Sequence, residues 1–167
     1  MVACKNEVDL EQNRRMIAGL DANIICYALD EAYPEHEKLE DLLLNLSPQN
    51  RVALNPTTLH EAYHTLVFGQ KWVPEDAAKP LKALLRHPHA EFYNQTKQNC
   101  NLGLNLSVQH RLGGRDALMI ANFLANKVPT ILTHNQEILK LHKLSWRNFS
   151  VTFKDPLIST LNESHRA

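Results

Sequence analysis

Four oxygen-bearing side chains occupy related places along this 167-residue chain. Asp21 closes the apolar run 16–20, and Glu61 falls in the stretch that follows the run 51–54. Asp116 opens the apolar stretch 116–126, and Asn135 stands two residues beyond Thr133, which ends the run 130–133. Ionised carboxylates gathered in one place repel one another unless a cation offsets their charge. Hard oxygen donors of this kind suit Mg²⁺ or Mn²⁺, whereas the nine His and three Cys offer no CxxC or HxxxH arrangement with further ligands to favour zinc. His60 and His64, the one pair at four-residue spacing, read as helix-surface residues. An oxygen-bound divalent ion with open positions suits phosphate chemistry, so a phosphodiester is the expected substrate.

Each position also has a purely structural account. Asp21 and Asn135 suit helix N-caps, and Asp116 complements the positive end of its own helix, a stabilisation of about 0.3–1 kcal/mol. Glu61 resists such an account best, because it lies among Leu59, Ala62, Leu66 and Val67, where a solvated helix face is narrow. The four together, at the same kind of place, favour a shared site. Basic side chains near the same edge, Arg115, His134 and Lys140 with Lys127, Lys143 and Arg147, are candidates to hold flanking phosphates, each against the alternative of a solvated charge.

The elements that would bring these residues together follow from apolar spacing. Strands are expected at 16–20, 51–54, 130–133 and 150–153, with a short one near 90–93. Helices are expected over 24–29, 35–46, 56 to about 68, 75–85, 116–126 and 136–142, with one more within 86–112. Asn55-Pro56 supplies a cap followed by proline at the first helical position, and Gly113-Gly114 reads as a turn. The stretch DALMIANFLAN is apolar all round and must lie against the sheet. Strands alternating with helices imply a parallel α/β sheet wound on both faces, in which ligands bind outside the carboxyl ends of the strands. Residues 1–15 are polar and aperiodic and read as a flexible extension ahead of one domain over 16–167.

Composition narrows the function classes. The formal net charge is zero, so a polyanionic partner must be held by a local patch or by metal ions. No apolar run is long enough to span a membrane, and a cytoplasmic location is expected. Cys4, Cys26 and Cys100 read as reduced thiols.

The segments Gly19-Leu20-Asp21-Ala22-Asn23-Ile24-Ile25, Asn55-Pro56-Thr57-Thr58-Leu59-His60-Glu61, Gly114-Arg115-Asp116-Ala117-Leu118-Met119-Ile120-Ala121 and Ile131-Leu132-Thr133-His134-Asn135 resemble, in order, the motifs of the PIN-domain nucleases, including VapC toxins of prokaryotic toxin–antitoxin pairs. The resemblance spans Met16 to Leu157. It implies a three-layer α/β/α sandwich with a central, mostly parallel sheet and Mg²⁺- or Mn²⁺-dependent endoribonuclease activity. Asp21, Glu61 and Asp116 would hold the metal, Asn135 would complete the catalytic set, and Asn23, Thr133 and Glu137 would support it. RNA, an antitoxin and a second copy of the chain are the implied partners. Family members often carry a fourth acidic residue where this chain has the amide Asn135, and that loss of charge implies weaker binding of a second metal ion. The alternative on the same fold is a PIN-like module, weakly active or inactive, that binds RNA or a protein partner. A receiver domain with Asp21 as phospho-acceptor is disfavoured, because it leaves Glu61 unexplained.

Overall fold

The computed structural model describes residues 17–158, so the expected extension over 1–15 lies outside the described residues, as does Cys4. Strands β1 (Ile17–Leu20), β2 (Arg51–Leu54), β3 (Ala90–Phe92), β4 (Thr130–Leu132) and β6 (Phe149–Lys154) run parallel. Strand β5 (Lys143–Trp146) adds an antiparallel edge, and the sheet order is β3-β2-β1-β4-β6-β5. The sheet is thus mostly parallel, as expected, with β5 its antiparallel strand among the described residues. Arg147 at φ 52° makes the two-residue turn from β5 to β6, and its guanidinium sits 4.3 Å over the Trp146 ring.

Seven helices among the described residues cover the sheet. They are α1 (Ala22–Leu29), α2 (His36–Leu44), α3 (Pro56–His64), α4 (Pro74–Arg86), α5 (Lys97–His110), α6 (Gly114–Ala125) and α7 (Gln136–Leu139). Side chains alternate across the strands as the pleat requires. Val52, Leu54 and Leu20 pack with α1, α2, α3 and α4, whereas Ala53, Ile131 and Ile17 pack with α5 and α6. Two cores on opposite sheet faces make the three layers.

Local signals explain most boundaries. Asn55 and Thr58 form a reciprocal capping box with Pro56 in the first turn of α3. The expected helix to about residue 68 is realised with a change of pitch, α3 widening into a π-helical turn over Thr65–Gly69. The turn expected at Gly113-Gly114 is carried instead by Arg111 at φ 55°, and no described glycine has positive φ. Helix α7 stops at Leu139 rather than 142, where His142 turns back at φ 56° into β5.

Helix α6 is buried, and its approach to the sheet demands a glycine. A Cβ on Gly19 would stand 2.8 Å from the Phe123 ring. Gly19→Ala is expected to destabilise the fold by about 1–3 kcal/mol, the usual cost of overpacking. Urea unfolding reads this as a lower midpoint at unchanged slope. Asn122, also buried, donates its amide to the carbonyls of Tyr93 and Asn94 and to Gln95 Oε1, tying the β3–α5 connection to α6.

Candidate active site

Chain connections leave β1 toward β2 on one side, while its other neighbour, β4, arrives from the far half of the sheet. The crevice between their carboxyl ends is the switch point where α/β sheets bind ligands. Asp21 ends β1, and Thr133, His134 and Asn135 follow β4. Across the crevice stand Glu61 on α3 and Asp116 in the first turn of α6. Asp21, Glu61, Asp116 and Asn135 all line one cleft of about 210 Å³, together with Asn23, Tyr27, Tyr33 and Thr65.

Asp21 is 7% exposed and held on both oxygens. Its Oδ1 accepts from the Ala22 amide at 2.7 Å, and its Oδ2 accepts from the Thr133 hydroxyl at 2.6 Å. The helix cap and the cleft-lining carboxylate are therefore the same side chain. Burial nevertheless raises its pKa from 3.8 to about 6, with the charges of Asp116 and Glu61 adding to the effect against the two hydrogen bonds. Asp116 is half-buried, and its carboxyl is likewise raised by burial, opposed by Arg115 and by the Asn135 hydrogen bond.

Asn135 caps α7 with Oδ1, which accepts from the Glu137 amide at 3.0 Å. That bond fixes the side-chain orientation, so its Nδ2 donates toward Asp116 Oδ2 at 3.4 Å. Asn135 therefore faces the cleft with a donor, not with the oxygen expected of a ligand. Glu61 pairs with Arg115 Nη1 at 3.1 Å. Among the described residues no three His, Cys, Asp or Glu are already drawn together tightly enough to grip a metal ion.

The remaining sequence candidates divide. Thr133 grips Asp21, and its Oγ1 also accepts from the Asn135 amide at 3.0 Å. Asn23 lines the cleft, but its Oδ1 accepts from the His134 amide at 3.4 Å, so it steadies the turn after β4 rather than Asp21. Glu137 lies outside the cleft, exposed, and binds Lys140 at 2.6 Å. His134 bonds the buried Asp155 at 2.8 Å. Arg115, His134 and Lys140, the candidate phosphate contacts, each thus face a carboxylate of the chain. His60 and His64 are exposed, as expected, with His64 stacked on Phe68 at 4.8 Å.

Sequence reasoning missed the aromatic wall. Tyr27 and Tyr33 meet edge to face at 4.8 Å, and Gln70 Nε2 donates to the Tyr33 hydroxyl at 2.8 Å. Burial raises both phenols above their usual pKa, which keeps them neutral donors near neutral pH. Thr65 enters the cleft at the start of the π-helical turn, a feature frequent at functional sites. The Cys26 thiol also lines it, pushed up to about 12 chiefly by burial and donating to the Ala62 carbonyl, so it is no nucleophile.

A family model described as PIN domain matches residues 19–144. Among solved structures, VapC20 of Mycobacterium tuberculosis, described as a sarcin-ricin loop cleaving toxin, is similar at TM-score 0.58 and 15% identity. That match covers 69% of this chain and 86% of the other. VapBC2 from Rickettsia felis, bound to a promoter DNA fragment, is similar at TM-score 0.57 and 20% identity, covering 84% and 98%. VapBC-1 from nontypeable Haemophilus influenzae is similar at TM-score 0.56 and 19% identity, with the same coverage. No curated protein matches the chain. At these identities the structures speak for the fold.

Proposed function

Because the chain belongs to the PIN domain family, we propose that it is a metal-dependent endoribonuclease that hydrolyses RNA phosphodiester bonds, the toxin of a toxin–antitoxin pair. One observation carries the proposal: Asp21, Glu61 and Asp116, brought from β1, α3 and α6, line a single cleft at the switch point of the sheet. The donor set fits Mg²⁺ or Mn²⁺, since it is made of hard oxygens, with the buried Asp21 carboxylate set beside the charges of Asp116 and Glu61. Asp21, Glu61 and Asp116 would hold the ion. When bound there, a divalent ion supplies a water of lowered pKa and positive charge against the attacked phosphate.

The chain's own residues do the positioning. Thr133 fixes the Asp21 carboxylate, and Asn135 steadies Asp116. Arg115, with a side chain 72% exposed, balances Glu61 and is free to turn to a substrate phosphate once Glu61 has another cation. Tyr33 accepts from Gln70, which leaves its own proton to donate on the cleft wall. The same proposal gives the protein a cytoplasmic setting, an antitoxin and a homodimeric state. Among the described residues no helix is long and apolar enough to cross a membrane.

The test is cleavage of end-labelled single-stranded RNA with Mn²⁺, stopped by EDTA and restored by fresh Mn²⁺. Failure of added metal to produce cleavage overturns the proposal. A second reading, a module that binds without cutting, is favoured by the donor that Asn135 turns to the cleft and by the absence of a tight acidic trio among the described residues. Calorimetric titration separates the two, since a degenerate site shows no saturable Mn²⁺ binding at millimolar metal. Under the nuclease reading, Asn135→Asp adds the missing charge and is expected to lower the Mn²⁺ concentration for half-maximal cleavage about tenfold, the scale of supporting contacts at metal sites. An unchanged requirement would show that this position does not act on the ion.

A further inference from the structure

Among the described residues, three cations beside the acidic cleft are each engaged by a carboxylate of the chain. Arg115 is paired with Glu61, Lys140 with Glu137 and His134 with Asp155. Arg147 lies over Trp146. With zero net charge overall, a long polyanion needs an unpaired basic surface somewhere on the molecule.

Such a surface exists on α4. Lys79, Lys82 and Arg86 are spaced three and four residues apart, which places them in one stripe along the helix. All three are exposed, and among the described residues none has a carboxylate within ion-pair distance. Glu75, one turn before Lys79, stays unpaired too and leaves the stripe with a positive surplus. These residues line a groove of about 480 Å³, and its other wall carries the half-buried Tyr63 of α3. A cationic track beside an aromatic ring is what a single strand requires, its phosphates held by charge and a base offered a stacking surface.

The groove is also correctly placed for a substrate of the cleft. Tyr63 follows Glu61 by two positions on α3, so the two side chains leave that helix on opposite sides. Groove and cleft are therefore separated by about one helix diameter, roughly 10–12 Å. A strand several nucleotides long reaches both, whereas a dinucleotide in the cleft does not. We propose that the α3–α4 groove, through Lys79, Lys82 and Arg86 beside Tyr63, is a binding track for single-stranded RNA flanking the cleavage site. This extends the nuclease proposal, and its test does not depend on cleavage.

The probe is a fluorescein-labelled oligouridine about 20 nucleotides long, titrated by anisotropy in EDTA. Lys79→Gln, Lys82→Gln and Arg86→Gln combined are expected to weaken binding at least tenfold. The slope of log affinity against log salt is expected to fall by about 2, since each phosphate neutralised on a single strand adds roughly 0.7 to it. Three exposed lysines elsewhere, Lys38, Lys71 and Lys97, changed together to Gln, control for charge alone and are expected to cost no more than about twofold. With Mn²⁺ present, the groove variant is expected to raise KM for long RNA while leaving turnover of a dinucleotide unchanged. Equal losses in the two triple variants, or a groove variant with unaltered affinity and salt slope, would overturn the track, as would an unmodified protein that binds no oligouridine. Each of those results leaves metal-restored cleavage to be judged by itself, so the track and the nuclease reading fail separately.

Discussion

Asp116→Asn is expected to reduce Mn²⁺-dependent cleavage of single-stranded RNA at least ~100-fold, beyond the 10–100-fold typical of lost supporting partners at metal sites. The far-UV CD spectrum is expected to stay unchanged. Asp116 lies in the first turn of α6, half-buried, and its carboxylate is the negative charge on that side of the cleft. The amide keeps the shape, and α6 loses only the modest dipole contribution of a first-turn acid. What disappears is an anionic oxygen aimed at the proposed ion. Asn135 Nδ2 donates to Asp116 Oδ2 at 3.4 Å, and after the exchange a rotated amide oxygen can still accept that bond. Folding and activity are therefore expected to separate cleanly. Retained cleavage at full rate would remove Asp116 from the site.

Asp21→Asn is expected to raise the stability of the fold at neutral pH and above. Burial and the two neighbouring carboxylates raise the Asp21 pKa from 3.8 to about 6, so the folded protein carries a charge that it holds poorly. At about 1.4 kcal/mol per pKa unit, that amounts to ~3 kcal/mol at neutral pH. Asn caps a helix about as well as Asp, so the bond to the Ala22 amide is kept. The bond from the Thr133 hydroxyl must reverse, at a cost of about 1 kcal/mol. A net gain of about 1–2 kcal/mol is expected near pH 8. The pH dependence fixes the cause. Between pH 3.8 and about 6 the folded state binds more protons at Asp21 than the unfolded chain, so wild-type stability falls as pH rises through that window. Above it the penalty is complete, and below it the penalty vanishes. Urea unfolding is therefore expected to show the variant ahead near pH 8 and level or behind near pH 3.5. A variant less stable at pH 8 would contradict the proposed strain. Such a gain, accompanied by the loss of cleavage, is the usual exchange between stability and function at strained sites.

Strands β1, β2, β4 and β6 were legible as short apolar runs closed by Asp21, Asn55, the Thr-His-Asn turn and Asp155, with run length and flanking turn residues deciding what periodicity over so few residues does not. Helix α3 announced itself through Asn55-Pro56, and the three-layer arrangement followed from the rhythm of elements. Strand β5 did not show, because Lys143 and Ser145 interrupt the apolar character and its turn uses Arg147 rather than glycine. Ion pairing was equally hidden. The partners of Arg115 and His134 come from other elements, α3 and the end of β6, so proximity along the chain made both look available for phosphate. Lys140 is the contrast, since Glu137 three residues earlier is visible in the sequence. The role of Asn135 was half legible: its cap is a common local pattern, but only the structure orients its amide toward Asp116. Tyr33 joined the cleft through its contact with Tyr27 and the bond from Gln70, neither of which has a local signature.

The central claim is that Asp21, Glu61 and Asp116 make one divalent-cation site. Anomalous diffraction from crystals grown with Mn²⁺ tests it most directly. The expected result is a strong peak in the cleft within coordination distance of oxygens from all three side chains, with Glu61 released from Arg115. A map with no peak there, or with Mn²⁺ bound only at other carboxylates, would contradict it.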